Sequence, residues 1–503
     1  MSEFSAARTL EELPEAFVSN TAISREVSRA VKSGRLRKLA SRLYTRNLAD
    51  EPEAIVRRNL WNVVAGYFPN ALIADRTALE NAPAEDGSIC LITKRGNDIA
   101  LPGLVLRPRR GKEPLPSDRP FVADLFLSST ARAYLENMRP SRARGRLLPR
   151  TLPRRKIEER LDTLVRRAGV EAANRLRDEV RDIGSALGMT KETTELDALI
   201  GSLLGTREAT LTAPTALARQ RGRPYDPDRL VLFQTLHAAL RAYPPLTRLA
   251  ADRGAEGNAT LAFFEAYFSN FIEGTEFAVD EAADIIFRGV IPNERPDDAH
   301  DVLGTWRIVS DFNEMRQTAQ DSTALLRILK ARHALIMGSR SNARPGAFKL
   351  VENRAGSTVF VAPDLVPGTL ERGFELCPSL ETPFQRAVFI MFLIAEVHPF
   401  ADGNGRTARI MMNAELIAAG EERIVIPTVY RANYLSALNA LSQSGHAEPL
   451  IRMLDYAQKW TAAINWHTMD ETRRELETCR AFLDPHVAEA EGKRLRMPGH
   501  VDI

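Results

Sequence analysis

The sequence predicts a mainly α-helical chain with a small α+β region at its N-terminal end, and three observations carry that expectation. From about residue 157 nearly to the C-terminus, apolar residues recur at helical spacing. Before that, residues 51–138 hold short apolar runs (ALIAD, SICLIT, LPGLVLRP) separated by Gly, Pro and Asp. Only one later stretch, FKLVENRAGSTVFVAP at 348–363, reads as β, with two strand-prone runs around Asn353-Arg354-Ala355-Gly356 as a hairpin turn. The length, 503 residues, suggests roughly three domains at about 150 residues each.

The first 50 residues read as short helices. Ser24 is placed as the cap of a helix in which Val27 and Val31 share one face, with Gly34 ending it. The following RLRKLASRLYTRN reads as a strand pair. Arg25, Arg29, Lys32, Arg35, Arg37, Lys38, Arg42 and Arg46 stand here against the single acid Glu26, a helix and basic wing suited to a winged helix-turn-helix on DNA. The stretch AISREVSRAVKSGRLRKLASRLYT resembles the N-terminal winged-helix domain of AbiEi-type antitoxins. A solvated basic face on a small helical domain accounts for the same charges.

Residues 1–138 are therefore expected as one N-terminal region. The Arg- and Pro-rich run 139–156 (RPSRARGRLLPRTLPRRK) reads as an exposed linker, or as a segment that tracks a phosphate backbone. A helical region over 157–257 precedes the main domain, 258–460, and a C-terminal helix with a poorly ordered tail closes the chain at 461–503.

Bulk properties exclude several classes. Hydrophobic residues make up 44% and charged residues 26%, enough apolar material for real cores. A net charge of +3 says little about partners. The three cysteines, Cys90, Cys377 and Cys479, lie far apart and suggest neither a disulfide framework nor a zinc site. The acidic start MSEFSAARTLEELPEAF lacks a signal-peptide pattern, and no apolar run is long enough to span a membrane; the run Ala387–Val397 is short and contains Glu396. A cytoplasmic protein with no membrane partner is expected. His237, His300, His333, His446, His467, His486 and His500 show no metal-ligand spacing and are expected to be structural or exposed.

The chemistry concentrates in His398-Pro-Phe-Ala-Asp-Gly-Asn-Gly-Arg-Thr-Ala-Arg409. It follows an apolar helix and feeds a second one, RTARIMMNAELIAAG, stopped by Gly420. A helix N-terminus offers unpaired N–H groups and a positive dipole end, both suited to phosphate. Gly403 and Gly405 let backbone approach an anion. Asn404 can donate to a phosphate oxygen, and Arg406 and Arg409 are spaced to point the same way. Asp402 is a hard ligand suited to Mg²⁺. His398 can take a proton from an attacking hydroxyl. Base, metal ligand, anion hole and two cations together suit phosphoryl or nucleotidyl transfer.

This loop matches the Fic family pattern HxFx(D/E)GNGRxxR at every fixed position. The resemblance covers roughly residues 195–460 and implies an all-helical Fic core with a β-hairpin flap near 350–362 that aligns a target segment by strand addition. It implies transfer of AMP from ATP to a Ser, Thr or Tyr hydroxyl of a protein. His398 is then the general base, Asp402 holds Mg²⁺, and Gly403, Asn404 and Gly405 form the anion hole. Arg406 and Arg409 bind ATP phosphates, Asn413 falls at the ribose, Tyr434 near the adenine, and Phe400 anchors the loop.

Upstream, Leu261, Phe264, Phe268 and Phe271 recur at helical spacing and lead into Ser269-Asn-Phe-Ile-Glu273-Gly274. Read alone, this is a core helix (259–274) with a terminal acid and a C-cap Gly. In context it matches the Fic inhibitory pattern (S/T)xxxE(G/N), which implies that Glu273 pairs with Arg409 and keeps it from the γ-phosphate. Two other readings stand beside the braked transferase: a DNA-binding regulator that uses the domain as a nucleotide sensor, and an enzyme that removes AMP. The target protein is not legible; self-modification and a homodimer both stay open.

Overall fold

The computed structural model describes residues 13–94, 96–356 and 358–499. The chain divides into two compact units, Met1–Arg221 and Gly222–Ile503.

The first unit begins with a three-stranded antiparallel sheet in which Leu43–Thr45 lies between Ala16–Val18 and Arg37–Ala40. The helix Ser24–Lys32 packs Val27 and Ala30 into a small core with Phe17 and Leu36. Ser24 is the first residue inside this helix rather than its cap. Asn20 supplies the cap-like acceptor instead, taking the N–H groups of Ala22 and Ile23 on its Oδ1. Among the described residues a single helix precedes the strand pair; Pro52–Arg58 and Leu60–Tyr67 come after it. A six-stranded mixed sheet follows, with Ser88–Ile92 parallel to Leu104–Arg109 and Leu72–Ile73 parallel to Leu125–Leu127. The unit ends in helices, of which Arg154–Leu187 is the longest and breaks at Gly169.

The run 139–156 expected as a linker is built into this unit. Leu152 is buried, Thr151 exchanges hydrogen bonds with Ser141, and Arg150 pairs with the buried Asp75. The division between units falls some 65 residues later, at Arg221/Gly222. Composition misleads here because arginine is both a solvating residue and a long side chain that ties loops to buried carboxylates and carbonyls.

The second unit is nearly all helical. Its centre is Pro383–Val397, an apolar helix buried on almost every side among Phe233, Leu370, Met412 and Leu416. Its start is well specified: Pro383 occupies the first turn, and Thr382 and Gln385 form a reciprocal capping box. The helix Asn404–Ala418 packs along it. Gly254–Ile272 carries Phe263, Phe264 and Phe268 into a second core with Trp460 and Trp466, while its Ala262 and Ala266 meet Ile410 and Ala414. This helix is buried along its length from Thr260 to Asn270, and its buried Glu265, Ser269 and Asn270 form a polar stripe between the two apolar faces.

The hairpin is shorter than expected, and its turn is shifted. Arg354–Ala355 pairs with Thr358–Val359, so the chain reverses after Ala355 rather than over 353–356. Asn353 is withdrawn from the turn because its side chain bonds elsewhere: its amide donates to the Phe400 carbonyl, and its Oδ1 accepts from Lys349 Nζ. The C-terminal segment is also packed. Pro485–Ala490 is helical, Leu495 is buried, and Trp460 Nε1 donates to the Arg496 carbonyl. No helix among the described residues is long and apolar enough to cross a membrane.

Candidate active site

The loop 398–403 lies between the two central helices, as its spacing predicts. His398 caps the first helix with a positive φ of 52°, uncommon for a residue with a side chain, and its N–H still closes the helix onto the Ile394 carbonyl at 2.9 Å. Its ring stacks on Phe360, just past the hairpin, with centroids 3.8 Å apart and planes 5° from parallel. Nδ1 lies 3.3 Å from the Ala395 carbonyl. A carbonyl only accepts, so Nδ1 carries the hydrogen and Nε2 keeps a lone pair. Burial, with help from the nearby Lys349 ammonium, pushes the imidazole down to about 4, so it is neutral near pH 7.

Asn404 locks the loop. Its Oδ1 accepts from Phe400 N–H at 2.8 Å, and its amide donates to the Phe400 carbonyl at 2.9 Å. These two bonds fix the loop's shape and use one of the two amide N–H groups, the other being the donor expected to meet a phosphate. Phe400 is fully buried, as expected for the anchor. Asp402 accepts from Gly403 N–H, and its side chain is 57% exposed.

A second histidine, His333, supports the loop from below. It stacks on Phe400 at 3.7 Å and 3°. Its Nδ1 accepts from Gly346 N–H and its Nε2 donates to the Asp402 carbonyl, each at 3.0 Å. Burial pushes it too down to about 4. Its register, one turn after Leu329 and next to Ile336, was the available sign that it faces inward.

The two arginines do not point to one place. Arg406 is buried and paired with Asp301 at 2.6 Å, with Asn270 Oδ1 at 3.2 Å. Arg409 turns to the helix Gly254–Ile272: Nε donates to Ser269 Oγ at 3.0 Å, and Nη2 to both the Ser269 carbonyl and Glu273 Oε1 at 2.7 Å. Glu273 is the C-cap residue of that helix, and Gly274 follows with φ 86°. The partner Asp301, fully buried and not anticipated from sequence, is one helical turn before the buried Thr305.

Glu273 also occupies the ground in front of the second helix. A side chain at Gly405 would put its Cβ 2.1 Å from Glu273 Oε1, so only glycine lets the carboxylate come so close to the first turn. At Gly403, φ is 74° and a Cβ would meet Met337 Sδ at 2.7 Å. The first N–H groups of a helix have no partner within it. An internal carboxylate therefore sits where the backbone is built to receive an anion.

Asn413 and Tyr434 are both buried in this structure. Asn413 ties Glu265 Oε1 and the Ile424 carbonyl together through its amide and accepts from Ile424 N–H. Tyr434 donates to Met391 Sδ, and its ring lies 5.9 Å from the Arg409 guanidinium. Lys349, also missed in the sequence, is pulled down to about 8 by burial, and its backbone N–H donates to the Pro399 carbonyl.

Comparison with known proteins adds the family. Residues 324–416 match the Fic/DOC family. The protein adenylyltransferase fic-1 of Caenorhabditis elegans is 26% identical over 196 residues, which is 38% of this chain and 38% of that protein. The protein adenylyltransferase Fic of Drosophila willistoni is 26% identical over 253 residues, 48% of this chain and 50% of its own length. The chain thus spans about half, or less, of the curated relatives it matches. A solved fragment of Fic-1 from C. elegans is 19% identical, covers 62% of this chain and 87% of its own, and aligns with a TM-score of 0.35. Residues 324–416, with the loop that begins at His398 at their heart, are a domain of the Fic/DOC family.

Proposed function

We propose that this protein transfers AMP from ATP to a hydroxyl of a protein, and that Glu273 holds the reaction off. The observation that carries this reading is the Glu273 carboxylate paired with Arg409 at 2.7 Å and lying against Gly405, in front of the first turn of Asn404–Ala418. A triphosphate that used that turn would meet a negative charge and find Arg409 already engaged. Misplacing the α-phosphate by about 1 Å is enough to cost on the order of a hundredfold in rate.

With Glu273 swung away, the chain's own groups have complementary tasks. The N–H groups at 403–405 and the Arg409 guanidinium stabilise charge on the phosphates. His398 Nε2 accepts the proton of the attacking hydroxyl; the Nδ1 bond to Ala395 and the stack on Phe360 hold the ring in the orientation that leaves Nε2 available. The exposed Asp402 fits a site for Mg²⁺, an ion commonly held by one or two carboxylates together with substrate phosphates. No group of three or more metal-ligating side chains exists among the described residues, so such an ion would be shared with the nucleotide. When bound, it would neutralise charge that develops on the phosphates.

The test is label transfer from ATP carrying the label at the α- or the γ-phosphate, using wild type, Glu273→Gly and His398→Ala. Expected is protein-bound α-label that rises on the order of a hundredfold in Glu273→Gly and vanishes in His398→Ala. Label only from the γ-position would mean phosphoryl transfer. Equal α-label in wild type and Glu273→Gly at saturating ATP would remove the brake from the reading.

A further inference from the structure

The apolar run Ala387–Val397 of the central helix carries one charge, Glu396, and the proposed reaction does not use it. The side chain is 3% exposed and stands two residues before His398. A carboxylate buried in an apolar helix is costly unless its oxygens find donors. Here both do. Oε1 takes Arg229 Nη1 from the helix Pro227–Ala242, and Oε2 takes Ser442 Oγ from the helix Arg431–Ser444.

The other arm of Arg229 goes to the hairpin. Its Nη2 donates to the carbonyl of Val359, the last residue of the second strand. Beside it, Gln443 Nε2 reaches Thr358 Oγ1 at 3.5 Å. The first strand is moored separately, through Asn353 to the Phe400 carbonyl at 2.9 Å. The hairpin is therefore tied at its entry to the His398 loop and at its exit to the helix that feeds this loop. Phe360, next after Val359, lies on the His398 ring and bonds back to the Asn353 carbonyl through its own N–H. Two short strands do not keep a fixed place by themselves, since an isolated hairpin is marginal in water. This one is exposed at Arg354, Ala355 and Val359, and the open edges of exposed strands accept a further strand. Arginine suits the bridge because its rigid planar fork donates to two acceptors at once.

We propose that Arg229 and Glu396 are positioning residues for the protein acceptor. They fix the exit of the hairpin relative to His398, so that a segment added to the hairpin brings its hydroxyl to Nε2. This role rests on the AMP-transfer reading and extends it to the acceptor.

The full chain in the Glu273→Gly background, given α-labelled ATP, tests the role by two products read together: protein-bound label, and free AMP formed with water. Water needs no hairpin to align it. The first variant is Arg229→Met/Glu396→Met, because replacing a buried ion pair by apolar side chains is often neutral or stabilising, whereas removing one partner is not. Its thermal unfolding midpoint should stay that of the parent, and amide exchange in peptides spanning 354–360 should quicken. The ratio of protein-bound label to free AMP should fall by about tenfold or more, with KM for ATP unchanged. Arg229→Lys, which keeps a charge beside Glu396 without the planar fork, should shift the ratio the same way. Glu396→Gln keeps acceptors for Arg229 and should keep most of the ratio. An equal fall in both products would mean that the pair acts on His398 or on the fold, and overturns the proposal. So does unchanged exchange in 354–360, or a ratio lost as fully in Glu396→Gln as in the double variant. A Glu273→Gly parent that forms neither product fails the AMP-transfer reading and the acceptor role with it; faster exchange in the double variant would still establish the tether.

Discussion

Two imidazoles flank the same loop, and the pair separates a structural histidine from a chemical one. Each lies flat on a phenylalanine, His333 on Phe400 and His398 on Phe360, with centroid distances of 3.7 and 3.8 Å. Burial pushes both down to about 4. The difference lies in their hydrogen bonds. His333 has both nitrogens occupied by backbone, at Gly346 and Asp402. His398 has one, Nδ1, facing Ala395. A ring with both nitrogens committed ties the loop to the helix beneath it, whereas a ring with Nε2 to spare can take up a proton. A depressed pKa alone does not distinguish the two.

That comparison can be broken in several ways. The largest effect should come from His398→Ala: general-base assistance is commonly worth about 10²–10⁴-fold, so α-label transfer in a Glu273→Gly background should fall by about a thousandfold, while unfolding free energy falls only by the about 0.5–1.5 kcal/mol of the lost stack on Phe360. If His398→Ala unfolds the protein instead, the division of labour is wrong. His333→Ala should do the reverse. It leaves the Gly346 N–H and the Asp402 carbonyl without their partner, at about 1–3 kcal/mol each, which urea unfolding would read, and any loss of activity should follow loop disorder.

Acid should destabilise both sites together. Each histidine is neutral in the fold and ordinary, near 6.5, once unfolded. The unfolded chain therefore binds more protons between about 6.5 and 4, and stability falls as pH drops through that window. At pH 5 each histidine should cost on the order of 2 kcal/mol relative to pH 7.5, measurable as a shift in the urea midpoint; a flat profile over this range would contradict the burial argument. The smallest effect should be that of Phe360→Leu. Losing one ring stack removes about 0.5–1.5 kcal/mol, but it also frees the His398 ring, so kcat in the Glu273→Gly background should fall more than KM changes.

The sequence carried the site's inventory well and its wiring less well. The loop, its flanking helices, and the pairing of Glu273 with Arg409 were all legible, because short-range spacing and a long motif determine them. The destination of Arg406 was not. Helical spacing puts it near Arg409, yet the two guanidiniums go to different helices, one to Asp301 and the other to Ser269 and Glu273. The roles of His333, Asn353 and Lys349 were hidden for the same reason: each acts on the loop from 47 to 69 residues away, or through a backbone bond such as that of Lys349 to Pro399.

By itself, then, the sequence determined what depends on neighbours along the chain. Periodicity made the helices, Pro383 with Thr382 and Gln385 set where the central one begins, and the glycines at 403 and 405 prepared a helix N-terminus that an anion can approach. Tertiary structure alone decided that Arg406 turns to Asp301 and away from Arg409, that Glu273 lies against Gly405, and that the arginine-rich run 139–156 is packed into the first unit rather than left as a tether. The physical reason is that a long cationic side chain is indifferent to its sequence neighbours. Water, a carbonyl or a distant buried acid will each satisfy it, and only the assembled fold brings one of them within reach.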